Sequence, residues 1–270
     1  MKTRVIAAVV LLPLLLLIVL GAPKIFCAIL FGVLAAIAAY ELLQNTRLVT
    51  HSRLTVYSMV AAFWCALWSG LSIGYGWLLL GILIFWVALF VEMMRDMENI
   101  KFINVAVCLA GGVVIPLLFS SLVRLHAMEK GRFFILLPFV MAFMSDTGAY
   151  FAGLNFGKHK LAPTISPKKT VEGVIGGVVA AVMGVVIYGL IINVFFDIKV
   201  NFLYTFVYGT FGAVAGVFGD LCFSVIKRQT GIKDYGNLIP GHGGILDRFD
   251  SMMVVGPLAE ILMLILPLAV

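Results

Sequence analysis

Gly173-Val174-Ile175-Gly176-Gly177-Val178-Val179-Ala180-Ala181-Val182-Met183-Gly184-Val185-Val186-Ile187-Tyr188-Gly189-Leu190-Ile191-Ile192 contains no acidic, basic or amide side chain. An α-helix needs about 20 such residues to cross the hydrocarbon core of a bilayer. Working outward, comparable apolar runs recur at roughly 5–21, 24–43, 55–73, 76–94, 102–122, 133–153, 172–195, 202–223 and 251–268. The chain therefore reads as all-α, a polytopic membrane helical bundle of about nine transmembrane helices. Composition agrees. The 270 residues are 63% hydrophobic and 12% charged, with mean hydropathy +1.13. Soluble domains run at about 45–50% and about 25%, so a soluble fold of this length is excluded. Pro13 and Pro23 interrupt the first two runs, which leaves a re-entrant hairpin or one long kinked element open. Met1-Lys2-Thr3-Arg4 before an apolar run is similar to a secretory leader. The run is long and another follows directly, so a retained helix is expected.

Orientation follows from the basic residues. The N-terminus and the loops near 44–54, 95–101, 154–171 and 224–250 hold about 14 of the 19 Lys and Arg, against about 5 on the other side. The N-terminus is expected in the cytoplasm of a multi-pass cell-membrane protein. The net charge of +6 mostly reflects this bias and also favours anionic lipid headgroups; nothing in the pattern points to nucleic acid. Cys27, Cys65, Cys108 and Cys222 sit singly in apolar runs without ligand spacing and read as small hydrophobes.

The two halves differ. Residues 1–131 read as a transmembrane scaffold, in which Glu41 and Glu92 are taken for solvated charges at cytoplasmic helix ends. Residues 132–270 read as the catalytic region, with cytoplasmic loops 154–171 and 224–250. Asp146 falls about seven residues, or about 10 Å, before the cytoplasmic end of its helix. An ionised Asp near a helix centre costs ~2.5–3.5 kcal/mol on insertion scales, so it faces a partner or a wet cavity. Asp146, Ala149, Tyr150 and Gly153 share one helical face by spacing.

In the next loop, Ser166-Pro167 looks like a helix N-cap followed by Pro at the first helical position. That reading puts Lys168, Lys169 and Thr170 in the first turn of the following helix. Cations there oppose the macrodipole unless an anion binds; a positive-inside anchor is the competing account. Gly173, Gly177 and Ala181, and likewise Gly212, Gly216 and Asp220 with its neighbour Gly219, form small-residue faces suited to close helix approach. On a helical wheel Ser224 and Lys227 lie within about 40° of Asp220.

The densest polar stretch is the last. Lys227-Arg228, Lys233-Asp234, then Pro240-Gly241-His242-Gly243-Gly244, then Asp247-Arg248-Phe249-Asp250 crowd into a chain otherwise built for lipid. Glycines around His242 let backbone amides approach a ligand such as a phosphate. Asp247 and Asp250, one turn apart, together with Asp220 are suitable oxygen ligands for Mg²⁺, which takes one or two carboxylates plus substrate phosphates. A structural salt-bridge network is the alternative.

These residues carry a resemblance. The stretch from Ser224 through Lys227-Arg228, Lys233-Asp234, Gly236, Ile239-Pro240, His242-Gly243-Gly244 and Asp247-Arg248 to Asp250 resembles the signature of phosphatidate cytidylyltransferases, the CDP-diacylglycerol synthases. Ser145-Asp146-Thr147-Gly148-Ala149-Tyr150 and Ser166–Gly173 resemble that family too. The likeness is strong over roughly 140–255, and in the first half covers only size and hydropathy. One position departs: Phe223 stands where the family commonly has Glu.

The resemblance implies attack of phosphatidic acid on the α-phosphorus of CTP, giving CDP-diacylglycerol and pyrophosphate. It also implies Mg²⁺, with a monovalent cation such as K⁺ beside it. On this basis Asp146, Asp220, Asp247 and Asp250 are expected at metal. Lys168, Lys169, Lys227, Arg228 and Arg248 are expected on phosphates of CTP or the lipid. Ser224, Lys233, Asp234, His242, Gly243 and Gly244 are expected around the substrate, His242 steadying a phosphate or making a structural hydrogen bond. Expected partners are CTP, phosphatidic acid, the bilayer and a second copy in a homodimer. A cytidylyltransferase for another lipid phosphate and an ion-coupled transporter are the alternatives.

Overall fold

The computed structural model describes residues 13, 15–238 and 243–269. The helical content confirms the all-α reading. Among the described residues seven helices are long and apolar enough to cross a membrane, and they coincide with seven of the nine apolar runs. The run at 251–268 instead forms a 14-residue helix, Met252–Ile265, shorter than the about 20 residues a crossing needs. The first run lies largely outside the described residues.

Two compact units divide the chain: the described part of Met1–Ala127 with Lys227–Phe249, and Met128–Ile226 with the described part of Asp250–Val270. In the first unit, α1 (Lys24–Tyr40) widens into a π turn at Glu41–Asn45. It is followed by α2 (Ser52–Leu71), α3 (Tyr75–Arg95) and α4 (Phe102–Leu109). A second π turn, Ala110–Val114, joins α4 to α5 (Ile115–Phe119) and α6 (Ser121–Ala127). Leu43, Val49, Leu54, Phe85, Leu89, Ile100 and Val105 form the buried core beneath the first π turn. Phe119 joins the returning segment to this unit, its ring edge-on to Phe31 at 5.3 Å and to Phe249 at 5.2 Å. Glu41 and Glu92 are both buried, contrary to the expectation of solvated edge charges. Glu92 is neutralised in place, accepting from the Tyr57 hydroxyl at 3.0 Å and pairing with Arg53 and Arg95 at 3.5 Å each.

In the second unit, α7 (Gly131–Phe134) leads into α8 (Leu136–Phe156). A two-stranded antiparallel hairpin follows, β1 (Lys160–Ala162) and β2 (Ser166–Thr170), and then α9 (Val171–Phe196). The helix α10 (Phe202–Gln229) comes next, and after α11 (Leu246–Phe249) the chain ends in α12 (Met252–Ile265). Small residues dictate how α8 and α9 pack. A Cβ on Gly148 would lie 2.6 Å from the Gly176 carbonyl oxygen, and one on Gly177 would lie 2.9 Å from the Ser145 carbonyl. On α10, Gly212 abuts Met141, Gly216 abuts Val255, and Gly219 abuts the Asp250 and Ser251 backbone. These small-residue faces, which in sequence permit either internal packing or a dimer, meet neighbours within the chain at these positions.

Ser166-Pro167 does not cap a helix. Both residues lie in β2, and Thr170 is the N-cap, its hydroxyl accepting from the Gly173 amide at 3.1 Å. Proline's fixed φ and missing N–H suit a two-stranded hairpin, where each strand has an unpaired edge. Lys168 and Lys169 therefore point to opposite faces of a strand. Lys168 is exposed and Lys169 half-buried.

Candidate functional site

Within the second unit the structure brings three of the expected site residues together. The Lys169 ammonium forms an ion pair with the Asp220 carboxylate, and Asp146 lies within electrostatic range of both. Asp146 is the middle residue of α8, ten residues from its end at Phe156, hence about 15 Å along the axis rather than about 10 Å. The hairpin accounts for Lys169: β2 is tied to β1 through the Lys160–Thr170 register, and the Thr170 cap anchors its end to α9. Ser224, one turn beyond Asp220 on α10, is buried, as is Phe223. Asp250 is buried too, and one of its oxygens accepts the Ser251 amide at 2.7 Å.

The first unit holds a second constellation, on the segment that follows α10. That helix stops at Gln229 because Gly231 takes φ +71°. The Gly231 amide bonds the Arg228 carbonyl at 3.3 Å and the Ile232 amide bonds the Lys227 carbonyl at 3.0 Å, the paired bonds of a glycine-terminated helix end. Lys227 turns its ammonium onto Asp247 Oδ1 at 3.0 Å and lies 5.4 Å from the centre of the Tyr235 ring. Asp247 Oδ2 accepts the Tyr235 amide at 2.7 Å and the Gly244 amide at 3.0 Å. This aspartate side chain is only 5% exposed. Gly243, at φ +84°, leaves the room: a Cβ there would lie 2.9 Å from Asp247 Oδ2.

Glu41, which reads in sequence as part of the scaffold, belongs to this constellation. It is 2% exposed, and its two oxygens accept the Ile245 amide at 3.0 Å and the Leu246 amide at 2.8 Å. A Cβ on Gly236 would lie 2.5 Å from Glu41 Oε1. The amides of Gly244, Ile245 and Leu246 are therefore taken by carboxylates of the chain itself. Gly236, Gly243 and Gly244 make room for those carboxylates. The signals available in sequence were the buried-helix context of Glu41 and its i, i+4 partner Asn45, whose amide donates to the Tyr235 carbonyl at 2.7 Å.

Lys168, Arg228, Lys233, Asp234 and Arg248 are exposed, and His242 lies outside the described residues. Among the described residues no three His, Cys, Asp or Glu side chains converge as a ready-made metal cage. A donor set of Asp146 with Asp220 suits an ion such as Mg²⁺, which takes one or two carboxylates and completes its shell with water and phosphate oxygens.

Comparison with known proteins gives the family. The profile of the cytidylyltransferase family matches residues 2–266. Proteins named phosphatidate cytidylyltransferase from Staphylococcus saprophyticus and Staphylococcus epidermidis are each 38% identical to this chain over 167 residues. One of the same name from Staphylococcus aureus is 37% identical over 167 residues. Each match covers 62% of this chain and 62% of the relative. From its matched length, the chain belongs to the cytidylyltransferase family.

Proposed function

We propose that this chain is an integral-membrane nucleotidyltransferase that converts CTP and phosphatidic acid to CDP-diacylglycerol and pyrophosphate, as a step of phospholipid biosynthesis. The observation that carries the reading is the family match over 2–266, with the relatives' name supplying the acceptor. In the reaction a phosphate oxygen of phosphatidate bonds the α-phosphorus of CTP, and the bond from that phosphorus to the bridging oxygen of the β-phosphate breaks. A phosphate monoester carries about −1.5 to −2 charge near pH 7, so the nucleophile needs no strong base. The protein's task is to position the phosphates and offset their charge.

Asp220 and Asp146 would hold Mg²⁺, with Asp250 and Asp247 as the further carboxylates the resemblance assigns to it. When bound, the ion supplies charge that stabilises the phosphate oxygens and the pyrophosphate leaving group. Lys169, held on Asp220, and Lys227, held on Asp247, receive phosphate oxygens. Arg228, Arg248 and Lys168 add cationic charge for CTP or the lipid headgroup. Lys233, Asp234, Ser224 and the loop through His242, Gly243 and Gly244 border the nucleotide. The site and the N-terminus face the cytoplasm, and the protein lies in the cell membrane.

The test uses purified protein in detergent with phosphatidic acid, Mg²⁺ and α-labelled CTP, following label into an organic-extractable product, with Asp250→Asn beside it. The expected outcome is labelled CDP-lipid from the wild type and a loss of at least about 10²-fold in the variant. An inactive wild type that turns over another lipid phosphate would move the acceptor assignment. Full activity in Asp250→Asn would remove that carboxylate from the site.

A further inference from the structure

Glu41 and Asn45 stand one turn apart on the π turn that ends α1, and both reach the segment between α10 and α11. π turns inside helices recur at functional sites. Glu41 acts as the N-terminal cap of α11 from 205 residues away in sequence, accepting the Ile245 and Leu246 amides, one on each oxygen. A carboxylate so deeply buried is tolerated only where hydrogen bonds replace its hydration, and two amide donors are present. Gly244 is fixed from two directions: its amide donates to Asp247, and its Cα packs on the Glu41 carboxylate, with which an added Cβ would collide.

We propose that Glu41 is a positioning residue. Its carboxylate sets the backbone of Gly244, Ile245 and Leu246, and through it the placement of Asp247, with Lys227 on that aspartate, for the nucleotide. The last step, that this loop meets CTP, rests on the function proposed above. The ordering of the loop by Glu41 does not.

The experiment measures hydrogen–deuterium exchange over residues 243–249 of the whole 270-residue chain in detergent, comparing wild type with Glu41→Gln and Glu41→Ala. Loss of both acceptors in Glu41→Ala should speed exchange at Ile245 and Leu246 by at least about tenfold, with Glu41→Gln intermediate and the amides of α2 and α8 unchanged. Gly244→Ala, which crowds the carboxylate without removing it, should loosen the same two amides and serves if Glu41→Ala does not fold. Unaltered protection at Ile245 and Leu246 overturns the proposal, and so does faster exchange spread evenly through α1 and α2. An inactive wild type would sink the proposed function while leaving this readout intact. In an active wild type, Glu41→Gln should raise KM for CTP about fivefold and leave KM for phosphatidate within about twofold. Loss of folded protein alone would move neither KM, and an unmoved KM for CTP overturns the positioning role toward nucleotide.

Discussion

Asp247 holds one ammonium and two backbone amides on its two oxygens. Removing one partner of a buried pair leaves the other charge uncompensated, at a cost of about 3–5 kcal/mol. Asp247→Ala should therefore lower the thermal unfolding midpoint strongly as well as abolish turnover. Lys233→Ala, at an exposed position of the same segment, should change stability by no more than about 0.5 kcal/mol. Thermal denaturation of the two purified variants checks both, and equal midpoints would mean that Asp247 is no keystone of the loop. The residue types of this site were legible in sequence because cations, carboxylates and glycines are conspicuous in an apolar chain. Their partners were not. Glycines beside carboxylates read equally as a phosphate cradle or as space for those carboxylates, and only the geometry at Gly236, Gly243 and Gly244 decides for the second.

Among the elements, the long helices were legible because hydropathy is a property of contiguous sequence, whereas the hairpin between α8 and α9 was not. Ser166-Pro167 satisfies the chemistry of a helix start, and the competing cap, Thr170 with its bond to Gly173, lies only four residues on. Strand alternation then puts Lys168 and Lys169 on opposite faces, rather than about 100° apart around a helical turn. Glu41 escaped for a related reason: helical periodicity reports on neighbours within a turn or two, while its bonding partners lie 204 and 205 residues away. The α8–α9 pair offers a test of packing at this scale. A Cβ on Gly176 would collide with the Ala152 methyl, and overpacking of a close interface costs about 1–3 kcal/mol. Gly176→Val should lower the unfolding midpoint, while Gly76→Ala on α3, with nothing within 4 Å of its added Cβ, should not. Equal stability of the two variants would contradict the packing described for α8 and α9.

At the scale of the whole molecule, orientation in the membrane decides which compartment the loops meet. Under the function proposed above, CTP is a highly charged, water-borne substrate, and the cations that receive its phosphates must open to the compartment that supplies it. About 14 of the 19 Lys and Arg fall on the side that includes the hairpin and the 230–245 segment. Basic flanks are retained in the cytoplasm during insertion, so under the function proposed above the residues that set the orientation would be the same ones that furnish charge for phosphates. The two roles can be separated by labelling. In a background with the four native cysteines replaced by Ala, three of them buried, single Lys160→Cys and Lys233→Cys variants should react with a membrane-impermeant maleimide in inverted vesicles and not in right-side-out ones. Lys199→Cys should behave in the opposite way. Labelling of Lys233→Cys from outside would place the Asp247 loop away from CTP and remove the basis for reading its cations as nucleotide ligands, whatever the charge count predicts.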